Sequence, residues 1–335
     1  QVDDALYRVI HLGVPGTPMP GFGDAIQQGF KVDGVAPNVD MTWAMVAYLA
    51  SLVESQPQRG VASGADIVVV SAQAAAMLTE PRHDAWSQVE PVSVSVRPIW
   101  QRRAYTPSVA VRAVTHEGQV AIALEWSDAQ TDFHGDSVHQ FTDAAAVMFS
   151  LSDNPPALTM GQRSGTDCKA PPDLVNVWHW RADRQLNADS NQLFDTVGDK
   201  AIAGSSADLY MFKRGDLTAG PITEHDKTYV PAWGVGNPKA DPALLRRPIL
   251  ESNAAGFGSL TLQPVDQQSV SGKGVWVAGK WRVVMVRSLD TKDAGDVRMR
   301  DRAGGLPLAF AVWQGAAGDR DGVKLYSGWH RLKLK

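Results

Sequence analysis

The chain has 335 residues, 44% apolar and 20% charged, with a formal net charge of −4, which are the proportions of an ordinary globular protein of one large or two medium domains. Mild acidity gives no reason to expect nucleic acid or an anionic membrane surface as a partner, and no apolar run approaches the ~20 residues of a membrane helix. A single cysteine, Cys168, excludes an internal disulfide framework, a cysteine-based zinc site, an iron–sulfur cluster held by this chain alone, and a Cys-x-x-Cys-His haem attachment within these residues.

The chain opens on Gln1-Val2-Asp3-Asp4 without a basic or apolar leader, as a processed chain or a fragment does. Residues 3–10 read as a short helix with acidic residues at its start. His11-Leu12-Gly13-Val14-Pro15-Gly16-Thr17-Pro18-Met19-Pro20-Gly21-Phe22 is dense in proline and glycine and reads as a stiff irregular loop. A second helix starts after Asp40, its candidate N-cap, with Trp43, Val46, Ala47 and Ala50 on one apolar face and Tyr48 beside it. This order resembles the second half of a class I cytochrome c, in which the methionine of a Gly-x-Pro-Gly-Thr-Pro-Met-Pro loop is a haem ligand. Met19 holds that place. The resemblance implies haem c here only if a Cys-x-x-Cys-His segment exists upstream or on a partner. A packed helical appendage is the alternative.

Ser55–Gly64 is polar and rich in glycine, serine and proline, so residues 58–83 read as a linker, with a short apolar run at Ile67–Val70 and an alanine-rich, helix-compatible stretch at 71–79. From Pro91 the apolar period becomes two. Val92, Val94 and Val96 alternate with polar residues. Val109–Val114 and Val120–Trp126 flank a turn at His116–Gln119 and form a hairpin. Asp143–Phe149, Val175–Trp180, Gly274–Trp276, Trp281–Arg287, Leu308–Trp313 and Trp329–Leu334 follow as strands. Many short strands separated by turns predict an antiparallel β-sandwich. Eleven tryptophans, recurrent in those strands, point to aromatic packing in a β core or to binding of a flat ligand. Residues at about 185–250 break the rhythm and read as a long excursion with a little helix, of the kind that covers a partner protein.

Several segments, taken in order, then resemble one family. They are Leu124-Glu125-Trp126-Ser127-Asp128, Thr159-Met160-Gly161, Asn176-Val177-Trp178-His179-Trp180-Arg181-Ala182-Asp183, Gly279-Lys280-Trp281-Arg282 and Arg320-Asp321-Gly322-Val323-Lys324. From about residue 84 to the end the chain is similar to the haem b (γ) subunits of type II dimethyl-sulfoxide-reductase-family molybdoenzymes. That group includes ethylbenzene and dimethylsulfide dehydrogenases, chlorate and selenate reductases and some nitrite oxidoreductases. The resemblance implies three segments: residues 1–57 as a cytochrome-c-like half, 58–83 as linker, and 84–335 as a haem b-binding β-sandwich. It also implies axial ligation of haem b by Met160 and Lys324.

A thioether is a soft ligand that suits haem iron. A lysine ligates only as the neutral amine, which burial and a nearby cation favour. On local pattern alone Met160 reads as a core methionine and Lys324 as a turn lysine, and Lys273 and Lys280 are rivals for the second role. Trp178, His179, Arg163 and Arg181 are candidates for contact with the cofactor, the arginines through its propionates. His179, between two strand tryptophans, points away from them and reads as a satisfied or propionate-bonding histidine, with haem ligation as the alternative. His11, His134 and His139 read as surface loop residues. No nucleophile–base pair, phosphate loop or metal-ligand spacing makes this chain an enzyme by itself. The expected function is a non-catalytic electron relay between the iron–sulfur (β) subunit of a molybdopterin (α) enzyme and an external cytochrome, in the periplasm or in a complex on the cytoplasmic face. A haem-free ligand- or carbohydrate-binding module and a structural subunit are the alternatives.

Overall fold

A computed structural model describes residues 2–13, 20–29, 40–55, 65–99, 102, 104–133, 141–153, 155, 174–190, 242–256, 259–299 and 304–334. Met19, His134, His139, Met160 and Arg163 lie outside them. The chain forms two compact units, one from the described residues of 1–62 and the other from those of 63–162 and 172–335.

The first unit has three helices: α1 (Val2–Leu12), α2 (Gly23–Gly29) and α3 (Met41–Ser55). Asp40 caps α3 as its position foretells. Its Oδ1 accepts from Thr42 N at 2.8 Å, and its other oxygen accepts from Tyr7 Oη at 2.6 Å. Tyr7 stacks on His11 (5.0 Å between centroids) and on Trp43 (4.7 Å). The buried face of α3 differs from the expected one. Val46 and Thr42 are buried, whereas Trp43 and Tyr48 are exposed. His11 is in helix α1 rather than in the loop, with Nδ1 3.2 Å from Thr42 Oγ1.

The second unit is a β-sandwich. Its strands are β1 (Ile67–Ser71), β2 (Val92–Ser95), β3 (Arg97–Pro98), β4 (Ser108–His116), β5 (Gln119–Ser127), β6 (Ala144–Ser150), β7 (Val175–Arg181), β8 (Ile249–Ala254), β9 (Thr261–Leu262), β10 (Ser271–Val277), β11 (Lys280–Ser288), β12 (Leu306–Trp313), β13 (Leu325–Tyr326) and β14 (His330–Leu334). One sheet runs β10-β11-β5-β4, with β2 also on β4. The other runs β14-β12-β6-β7-β8-β9. β1 joins them: Ile67–Val69 pair with β14 and Val70–Ser71 pair with β4, both in parallel. These parallel pairs depart from a purely antiparallel sandwich. They also place Ile67–Ser71 inside the sheets, in a stretch that reads as linker. Met77 and Leu78 of the same stretch are buried against β5 and β11.

Local chemistry explains the two tight hairpins. Glu117 (φ 46°) and Gly118 (φ 77°) join β4 to β5, and Ala278 (φ 50°) and Gly279 (φ 78°) join β10 to β11. Two successive left-handed residues make the turn whose twist matches that of paired strands. Strand alternation then sends Trp126 and Trp281 inward from one sheet and Trp178 and Trp180 from the other. Trp180 lies 6.1 Å from Trp126 and 4.8 Å from Trp281, so the sheets meet through indoles. Gly274 makes room for this contact: a Cβ there would stand 2.3 Å from the Trp180 ring.

The interior also holds a polar network. Arg287 donates from Nη1 to Glu251 (2.9 Å) and Asn176 (3.3 Å), lies 3.7 Å from Asp296, donates from Nη2 to Val297 O, and stacks over Trp178 at 5.0 Å. Strand β8 carries this network through Glu251. That strand starts inside the stretch read as an excursion, which in its described part is helix α4 (Ala182–Ser190), a helical turn at Pro242–Leu245, and then strand.

Candidate functional site

The candidate site is the face of the β12-β6-β7 sheet turned away from the sandwich core. Register fixes its composition, since directly paired residues point to the same side. Arg181 pairs with Ala144, and Ala144 with Trp313; His179 pairs with Ala146, Ala146 with Ala311, and Ala311 with Tyr326. Val177, Met148 and Ala309 form the next row. Alanines at 144, 146, 309 and 311 make the middle of this face low, and Trp313, His179, Met148 and Trp329 rise around it.

Lys324 stands at one edge. Antiparallel pairing of β13 with β3 holds its segment, and Ile99 N donates to the Lys324 carbonyl at 3.1 Å. The preceding Arg320–Val323 turn contains Asp321 in the left-handed region (φ 47°), which an aspartate tolerates. Trp313 Nε1 donates to the Asp321 carbonyl at 3.1 Å, which ties this turn to the sheet. The Lys324 Nζ lies 5.3 Å from the Trp313 ring centroid. Burial lowers the Lys324 pKa and Asp321 opposes the shift. The rival lysines are tied into ion pairs elsewhere, Lys273 with Glu80 (3.0 Å) and Lys280 with Glu125 (3.1 Å).

His179 also packs on Trp313, with centroids 5.0 Å apart. Its Nε2 is closed to solvent and has no partner within the protein. Burial first, and then repulsion from Arg184, Arg181 and Lys324, holds its pKa well below the usual value. Arg184, on α4, escapes sequence reasoning. It is 6% exposed and donates from Nη2 to the His179 carbonyl at 3.0 Å. Its Nε has no partner, and it has no carboxylate within ion-pair distance among the described residues. Burial, then Arg181, pushes its pKa down to about 9. Its sequence context, Ala-Asp-Arg-Gln, gives no hint of burial.

Other candidates are placed differently. Arg181 donates from Nε and Nη2 to Asp183 at 3.0 and 2.6 Å, so its fork is occupied. Trp178 is fully buried and turned into the core, with Nε1 donating to Asn176 and Glu251. It therefore lies on the opposite side of the sheet from Lys324 and His179. A surface groove of about 230 Å³ lies over β5 and β11, beside Trp86, Arg112 and Arg282. It does not involve the Lys324 face.

Residues 83–324 match the family described as Ethylbenzene dehydrogenase. The chain belongs to that family. Among its relatives, the chlorate reductase subunit gamma of Ideonella dechloratans is 26% identical over 69% of this chain and 66% of its own length. The dimethylsulfide dehydrogenase subunit gamma of Rhodovulum sulfidophilum is 28% identical over 62% of this chain and 52% of its own. A Haloferax mediterranei protein named for a respiratory nitrate reductase heme subunit, ORF7, is 24% identical over 80% of this chain and 72% of its own. The match thus spans less than two thirds of the first two relatives. Among solved structures, a family 9 carbohydrate binding module from Caldicellulosiruptor kristjanssonii in complex with glucose overlaps 81% of this chain and 96% of its own, at 9% identity and a TM-score of 0.36.

Proposed function

We propose that this chain is a non-catalytic electron-transfer subunit that holds a haem b on the outer face of β6, β7 and β12, with Lys324 as one axial ligand and Met160 as the other. It relays electrons between the iron–sulfur subunit of a periplasmic molybdenum enzyme and an external cytochrome. The observation that carries the reading is Lys324 itself. It is a half-buried amine whose pKa burial lowers, set at the edge of an alanine-lined apolar face, while its rivals are ion-paired.

The residues present suit a haem. A low apolar surface accommodates a flat macrocycle, a neutral amine is a competent iron ligand, and the unpartnered His179 Nε2 and Arg184 Nε are hydrogen-bonding atoms closed to solvent beside it. Bound there, the group supplies a one-electron ferric–ferrous couple. Trp313 and the Asp321 turn orient the Lys324 amine. The gamma-subunit names of two relatives support placement in an oxidoreductase complex. In the first unit, Met19 would serve a haem c if a Cys-x-x-Cys-His segment lies upstream or on a partner.

An absorption spectrum of the purified protein tests the reading. A Soret band from acid-extractable haem is expected. Lys324→Ala and Met160→Ala should each shift the spectrum and reduce the haem retained by about tenfold or more, while Lys273→Ala and Lys280→Ala leave both unchanged. Haem-free protein that takes up no added haem sinks the proposal.

A further inference from the structure

Arg184 is the feature of the described structure least explained by folding. A guanidinium that is 6% exposed, with one Nη on a main-chain carbonyl and Nε without a partner, carries a positive charge with no carboxylate within ion-pair distance among the described residues. A buried cation in that state is costly. The carboxylate next to it offsets this charge only in part, because Asp183 is the bidentate partner of Arg181 and bonds Arg184 only at its main-chain N–H, at 2.7 Å. The neighbouring His179 repeats the pattern with an unpartnered Nε2 closed to solvent. Lys324 adds a third basic group across Trp313. The corner where β7 runs into α4 is therefore basic, buried and short of acceptors.

From this we infer that Arg184, with His179 as second donor, binds a carboxylate of the ligand held on this face. Resting on the haem reading above, this assigns Arg184 to a haem propionate and withdraws Arg181 from that role. A carboxylate accepts from a guanidinium through two oxygens and tolerates an imidazole N–H as a further donor. Both are acceptors of the kind the two orphaned donors lack, and the negative charge offsets the buried positive one. Arg184 is a binding residue here and has no part in iron ligation.

The test compares haem with its dimethyl ester, in which the propionate charges are removed and the ring and iron are kept. Apoprotein is titrated with each, following the Soret band and quenching of tryptophan fluorescence. Wild type should bind the diacid about tenfold to a hundredfold more tightly than the ester, the range expected of a desolvated charge-assisted pair. Arg184→Met should bind the ester as wild type does and lose the preference for the diacid to within about twofold. Arg184→Lys keeps the charge without the fork and should fall between them. Arg181→Met should keep the wild-type preference.

Wild type that binds diacid and ester alike overturns the inference, and so does Arg184→Met that keeps the preference or Arg181→Met that erases it. The wild-type comparison and Arg184→Lys decide the matter even if Arg184→Met does not fold. Wild type that takes up neither compound overturns the haem reading and this inference together.

Discussion

Arg287 and Arg184 are both buried, 2% and 6% exposed, and the chain treats them in opposite ways. Arg287 lies in the core beneath the sheet. It has Glu251 at 2.9 Å, Asp296 at 3.7 Å, Asn176 at 3.3 Å, the Val297 carbonyl, and the Trp178 ring beneath it. Arg184, on helix α4 after strand β7, donates from its side chain to a single carbonyl among the described residues. The first arrangement is closed in charge: Glu251 and Asp296 compensate the guanidinium, although its Nε, like that of Arg184, has no partner. The second is open: it has donors and charge in excess and lacks an acceptor. Buried polar groups in folded proteins are nearly always satisfied, and the open one is where we infer that a ligand supplies the acceptor.

The largest expected effect lies on the closed side. Arg287→Met leaves Glu251 and Asp296 buried without their cation and should cost about 3–5 kcal/mol of stability, read as a lower urea midpoint. A loss below about 1 kcal/mol would mean that the network is dispensable, and the contrast with Arg184 would lose its meaning.

A buried carboxylate supplies the anionic version of the comparison. Asp143 is fully buried and accepts from Trp281 Nε1 (2.9 Å), Gly315 N (2.8 Å) and Asp132 N (2.8 Å), with no cation paired to it among the described residues. Burial, then repulsion from Asp128, pushes its pKa from 3.8 to about 7. Between those values the folded state keeps a proton that the unfolded state has released. This contribution to stability is therefore complete below about pH 4 and is lost as pH rises to about 7, with a ceiling of about 4 kcal/mol. Asp143→Asn cannot titrate. It should be less stable than wild type at pH 4, since its amide nitrogen faces a donor, and the gap should narrow as pH rises to 8. Thermal melts of the two proteins across that range check this. A gap that stays constant or widens refutes the shift.

How much of this was legible in the sequence follows the same division. The hairpin at 117–118 could be read because turn chemistry is local, and inward tryptophans could be read from period two. Strand β8 could not. Ile-Leu-Glu-Ser-Asn-Ala looks like a polar stretch, yet Glu251 and Ser252 are buried, because their partners Arg287, Gln268 and Ser269 lie on other segments. β1 hid in a short apolar run behind a glycine- and serine-rich segment, since its two parallel partners are β4 and the last strand of the chain. At the site, the outward aim of His179 followed from alternation. Lys324 came from resemblance, as its local pattern is that of any turn lysine. Arg184 had neither signal: its burial depends on tertiary packing that Ala-Asp-Arg-Gln does not announce.

The smallest expected effect is the most discriminating. Arg184→Met in the apoprotein removes one hydrogen bond to a carbonyl and a buried charge that has no ion-paired carboxylate among the described residues. The lost bond costs about 1 kcal/mol, and relief of the uncompensated cation returns a similar amount. The apoprotein should therefore stay within about 1 kcal/mol of wild type in urea unfolding, against several for Arg287→Met. A loss of 3 kcal/mol or more would mean that Arg184 is held by interactions within the chain, and the two buried arginines would then do the same job. If stability is unchanged while the preference for the haem diacid disappears, folding does not require Arg184 and binding does.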